Sequence, residues 1–90
     1  MVVKPYEETR ISGDRMLREF SEHVPQDELE WHMDRRDRKV TIKEGRGWKL
    51  QLESGLPFEI RPGETYFIPR ESWHRLLRGN GKLRIIIDEE

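Results

Sequence analysis

The chain has no cysteine among its 90 residues. That excludes disulfide frameworks, thiolate zinc sites, iron–sulfur clusters and thiol catalysis, and it fits a reducing compartment. No apolar run approaches the ~18 residues of a membrane-spanning helix. The opening Met1-Val2-Val3-Lys4-Pro5 has no secretory apolar stretch. A cytoplasmic location and no membrane partner are therefore expected. Repeats and low-complexity segments are absent too. Neither sign of charge dominates: 17 Lys and Arg against 18 Asp and Glu leave a net −1. The 39% charged fraction does not predict disorder, because the signs nearly cancel and eight aromatics with β-branched runs supply a core. The length predicts a single domain.

Charge is nevertheless uneven. Residues 1–30 carry 4 basic and 8 acidic side chains, residues 31–50 carry 7 and 3, and residues 51–90 carry 6 and 7. The one basic cluster, Arg35-Arg36-Asp37-Arg38-Lys39, is interrupted by acid and has no aromatic stacking series. Nucleic acid is therefore not an expected partner; a charge-guarded loop or edge strand is.

Residues 1–25 read as an N-terminal arm with one short helix. Met16, Leu17, Phe20 and Val24 fall at helical spacing, Ser12 or Asp14 offers a cap and Pro25 a stop. A strand is the competing assignment for the same stretch. From residue 26 to residue 90 the period changes to two. Leu29, Trp31 and Met33 alternate with Glu30, His32 and Asp34; Val40 and Ile42 follow, then Trp48, Leu50 and Leu52. Phe58-Glu59-Ile60, Tyr66-Phe67-Ile68 and the run Leu83 to Ile87 complete a series separated by Gly and Pro turns. This rhythm predicts an all-β sandwich or barrel.

Three histidines are present. His23 reads as a surface residue. His32 and His74 each sit beside a tryptophan, Trp31 and Trp73, in strand-like contexts. Strand alternation would put Glu30, His32 and Asp34 on one face, at steps of roughly 7 Å, with Arg38 following if the register resumes. Two imidazoles and a carboxylate with open positions suit divalent iron, nickel, manganese or zinc. The alternative is an ion pair of Arg38 with Asp34 or Glu30, hydrogen-bonded histidines and no metal. Glu30, Arg38, Trp48 and Trp73 are the expected pocket lining, although Trp48 also fits a core position. Arg75 and Arg78 read either as anion binders or as partners of nearby acids.

Gly63-Glu64-Thr65-Tyr66-Phe67-Ile68-Pro69-Arg70-Glu71-Ser72-Trp73-His74 resembles the second cupin motif, Gly-x5-Pro-x-Gly-x2-His. Upstream, His32-x-Asp34-x3-Arg38-x6-Gly45 is similar to the first motif, His-x-His-x3–4-Glu-x6-Gly. The resemblance spans about residues 29–88. Departures are explicit: Asp34 replaces the second histidine, Arg38 the glutamate, Glu71 a glycine, Arg78 an asparagine and Gln26 the glycine before the first motif. The resemblance implies a jelly-roll barrel (double-stranded β-helix), a small-molecule pocket and a homodimer. It also implies a metal on His32 and His74 with Asp34 as a third donor; Arg38 cannot be a ligand. A metal-dependent centre, a metal-free binding module and an assembly protein are all compatible with it, and no general base is identifiable.

Overall fold

In the computed structural model, which describes residues 4–90, burial alternates most clearly along the second strand and the first half of the third, and backbone pairing defines the strands. These are β1 (Tyr6–Ser12), β2 (Arg15–Phe20), β3 (Arg38–Arg46), β4 (Lys49–Leu52), β5 (Phe58–Glu59), β6 (Thr65–Ile68), β7 (His74–Leu77) and β8 (Asn80–Glu89). They form two antiparallel sheets, a five-stranded one in the order β1-β2-β8-β3-β6 and a three-stranded one in the order β5-β4-β7. The expected all-β jelly-roll class is what the chain adopts, with no α-helix among the described residues.

The inner face of the large sheet carries Met16 and Phe20 from β2, Val40 and Ile42 from β3, Leu83, Ile85 and Ile87 from β8, and Ile68 from β6. Trp48, Leu50 and Ile60 join the same core from the side of the small sheet. Trp48 is fully buried, and its indole N–H donates to the Gly81 carbonyl at 3.1 Å. Backbone crosses backbone beside it. A Cβ on Gly79 would lie 2.3 Å from the Arg46 carbonyl oxygen and 2.4 Å from Trp48 N, so only hydrogen fits there.

Two expectations are corrected. The helix expected from Asp14 to Val24 is replaced by strand β2, which ends at Phe20, is hairpinned to β1 and is paired along its other edge with β8. Residues four apart, such as Met16 and Phe20, satisfy a period of two as well as a helical one. Pairing with β8 decides between them. The expected arm is accordingly strand β1, an edge strand guarded by charge; its residues 1–3 lie outside the described residues. Second, Leu29–Asp34 alternates as a strand would but forms only an isolated bridge, His32 to His74. A single 3₁₀ turn, Gln26–Glu28, precedes it, and Leu29 alone is buried while Trp31 and Met33 stay exposed.

Candidate metal centre and cavity

The bridge is what brings the histidines together. His32 N–H donates to the His74 carbonyl at 3.0 Å, and His74 N–H donates back at 2.9 Å. Their rings meet edge to face, with centroids 4.2 Å apart. Ser72 and Pro69 shape the approach to His74, the Ser72 hydroxyl donating to the Pro69 carbonyl at 2.6 Å. Asp34 enters from the loop before β3. Its carbonyl accepts from Glu71 N–H at 2.7 Å, tying the two motif segments together. Glu71 pairs there with φ +60°, a left-handed conformation that suits the motif's glycine better than a glutamate.

The hydrogen bonds fix the polarity of both rings. His32 Nδ1 lies 3.1 Å from the Glu30 carbonyl and His74 Nδ1 lies 3.0 Å from the Ser72 carbonyl. A carbonyl oxygen can only accept, so each Nδ1 carries a proton and each neutral ring keeps its lone pair on Nε2. Backbone-anchored imidazoles of this kind are how metal-binding histidines are oriented. One donor atom each from His32, Asp34 and His74 lies within 4.8 Å of the others. His74 Nε2 stands 3.3 Å from Asp34 Oδ2, a buried oxygen that accepts no hydrogen bond among the described residues. With its lone pair on Nε2, the His74 ring can share one cation with this carboxylate oxygen, and the Arg38 guanidinium, 3.2 Å from the same oxygen, competes for it. The donor set therefore fits a divalent metal.

Arg38 is the competing cation. Its side chain is largely buried; Nη1 lies 3.2 Å from Asp34 Oδ2, while Nε and Nη2 reach a single oxygen of Glu89 at 3.1 and 3.0 Å. Glu89, opposite Arg38 on β8, gives the guanidinium a counter-charge of its own. Burial opposes ionisation of Asp34, yet a hydrogen bond from the His74 ring, when Nε2 carries a proton, and the Arg38 charge hold its carboxyl below the usual range. Partial burial of the ring, with the nearby charge of Arg38, lowers the pKa of His32 below its ordinary value.

Beyond the donors lies a cavity of about 300 Å³ between the sheets. Val40, Ile42, Leu50, Ile68, Ile85 and Ile87 form much of its wall. Of the expected lining residues, Arg38 and Glu30 border it; Glu30 is exposed at the rim. Trp48 and Trp73 do not. Trp48 packs on Phe20 with ring centroids 5.9 Å apart, as core, and Trp73, next to His74 on an extended segment, turns to solvent. Trp31 borders the cavity instead, with the Arg75 guanidinium 4.8 Å above its ring. Arg75 Nε also donates to Gln51 Oε1 at 2.9 Å, and Arg78 Nη1 to the Val24 carbonyl at 3.0 Å, so neither is paired with an acid. Gln26 accepts from Arg78 N–H at 2.7 Å and donates to the Leu76 carbonyl at 3.1 Å, clasping the loop to β7.

Tyr6 and Arg18 also line the cavity and were missed. The available signal was Arg18 between Met16 and Phe20, an inward position at period two, which the helical assignment hid.

No family model matches the chain, and no curated protein matches it in sequence. Its likeness to solved structures is one of fold. An RmlC-like cupin with a double-stranded β-helix fold from Methanocaldococcus jannaschii is 15% identical, with TM-score 0.69, covering 97% of this chain and 81% of that one. A cupin domain from Bordetella pertussis is 15% identical, with TM-score 0.64, covering 100% and 98%. The iron(II) form of HppE is 10% identical, with TM-score 0.69, covering 84% of this chain and 41% of that larger one. The chain has the small cupin fold.

Proposed function

We propose that this cupin-fold protein holds a divalent metal ion between His32, Asp34 and His74 and binds a small molecule in the adjoining cavity. One observation carries the proposal: one donor atom each from two backbone-anchored imidazoles and the Asp34 carboxylate lies within 4.8 Å of the others, with His74 Nε2 3.3 Å from Asp34 Oδ2. Two histidines and one carboxylate with open positions match the facial triad of non-haem iron(II) proteins, and zinc, nickel and manganese also accept the set. Similarity of fold to an iron(II) protein is consistent with this choice. A bound ion would supply Lewis-acid polarisation of a ligand oxygen. The chain's own residues orient the donors, balance Arg38 with Glu89 and exclude water along the apolar wall. A homodimer and a cytoplasmic setting belong to the same proposal.

A metal-free binding module is the second reading, favoured by the 3.2 Å approach of Arg38 to Asp34. The two separate in one experiment. Protein grown in supplemented medium is assayed for bound Zn, Ni, Mn and Fe, and its melting temperature is followed as each ion is added. Near-stoichiometric uptake that His74→Ala abolishes is expected. No bound metal and no shift with any ion would transfer the case to the second reading.

A further inference from the structure

Both cavity arginines sit on inward strand positions, where an apolar residue is the rule. Arg18 lies between the buried Met16 and Phe20 on β2. Its guanidinium lies 3.9 Å from the centroid of the Tyr6 ring, and Nε and Nη2 donate to the same Glu8 oxygen at 2.8 and 2.5 Å. That geometry uses one edge of a five-donor fork. Among the described residues Nη1 donates to no protein group and is not fully enclosed, and Arg18 borders the cavity.

The pairing is asymmetric with respect to the cavity. Arg18 and Tyr6 line it; Glu8 does not. The same holds for the other arginine: Arg38 lines it and Glu89 does not. Each carboxylate reaches its arginine sideways, from the directly opposed position of the neighbouring strand, and does not itself line the cavity. The inner surface presents two guanidinium groups against the single carboxylate of Asp34, while Glu28 and Glu30 belong to the exposed rim. Register separates the arginines. Arg38 is opposite Glu89 at one end of β8, whereas Arg18 is opposite Ile85, four residues back. Val40 and Ile87 lie between the two levels, and Ile42 and Ile85 share the level of Arg18, so the wall joining them is apolar.

We infer that Arg18 anchors a carboxylate at the pole of the cavity remote from the histidines, so that the ligand is a small organic acid with an apolar body. A planar carboxylate matches the free edge of the guanidinium, and the aliphatic wall matches a hydrocarbon chain. The inference rests on the proposed use of the cavity for a small molecule, but it does not need the metal.

The experiment uses hexanoate and hexanamide, which share shape and differ in charge, titrated calorimetrically into the metal-free protein and again with zinc present. Hexanoate should bind about tenfold more tightly than hexanamide, a difference of about 1.4 kcal/mol. Arg18→Leu should erase that preference while leaving zinc uptake unchanged. Glu8→Gln, which removes the competing carboxylate and keeps the shape, should strengthen hexanoate binding severalfold. A purely structural ion pair would not produce that increase. Should Arg18→Leu fail to fold, the sign of the Glu8→Gln effect still decides. Equal affinity for acid and amide, no binding of either, or weaker hexanoate binding by Glu8→Gln would overturn the assignment of Arg18. Absence of zinc uptake with the hexanoate preference intact would instead overturn only the metal centre.

Discussion

Strands β3 and β8 run between two unlike ends. At one, Trp48, Phe20 and Leu83 are buried in the core, and Gly79 lets one backbone pass against another. At the other, His32, Asp34, His74, Arg38 and Glu89 crowd together through polar and charged contacts. The contrast teaches where the molecule keeps its stability and where it keeps its chemistry. Apolar burial is non-directional and tolerates no holes. Paired charges contribute little net stability but become costly when one member is removed.

The sharpest way to break that contrast is at the floor. Trp48→Ala should cost about 3–5 kcal/mol in denaturant unfolding, as large aromatic truncations in a packed core do. Asp34→Asn, nearly isosteric and leaving Arg38 with Glu89, should cost far less in stability yet remove metal uptake. Equal losses of stability from the two changes would contradict the division of labour.

Arg38→Glu sharpens the comparison at the polar end. It restores the cupin ligand type but brings a third carboxylate beside Asp34 and Glu89. The metal-free variant should lose about 3 kcal/mol, the low end for a broken buried pair. Saturating zinc or nickel should recover most of it, read as a rise in melting temperature larger than that of the parent protein. A variant as stable without metal as the parent would mean that Arg38 does not balance this end.

Glu71→Gly tests the strained link between the two motif segments. Relief of the φ +60° conformation should stabilise the protein by about 0.5–1 kcal/mol, after the flexibility of glycine is allowed for. The gain should be the same with and without metal.

The smallest effect is expected outside both ends. Arg36 Nη1 lies 2.9 Å from Asp14 Oδ1 on the surface, and this hydrogen bond and charge hold the Asp14 carboxyl below its ordinary value of 3.8. A depressed carboxylate contributes stability that is present above its unfolded value and lost as pH falls through the folded one. Arg36→Gln should therefore slightly reduce the stability difference between pH 7 and pH 3 at low ionic strength, and 1 M salt should cancel the effect.

The legibility of the sequence follows the same division. Val40, Ile42, Leu50 and the run Leu83–Ile87 announce their strands because burial on one face imposes a period of two. Gly63, Pro69 and His74 keep the spacing of a recognisable motif through a turn, a strand and a bend. The hairpin β1–β2 was not legible, because Met16, Leu17, Phe20 and Val24 also satisfy a helix, and only pairing with β8 settles the matter. Arg18 was hidden with it. The alternation of Leu29–Asp34 suggested a strand where only His32 pairs, so the faces of Trp31 and Glu30 had to come from the loop. Asp34 was still placed with the histidines, since its motif position survives the loss of regular structure. Trp48 and Trp73 show the limit: a tryptophan beside a turn or a histidine carries no mark of whether it faces core, cavity or solvent.

The most direct measurement is anomalous scattering from crystals of the zinc-loaded protein, recorded on both sides of the metal edge. One peak about 2.0–2.2 Å from His32 Nε2, His74 Nε2 and an Asp34 oxygen is expected, with Arg38 still held by Glu89. A map with no peak among these three residues, and Arg38 in contact with Asp34 as before, would contradict the metal centre.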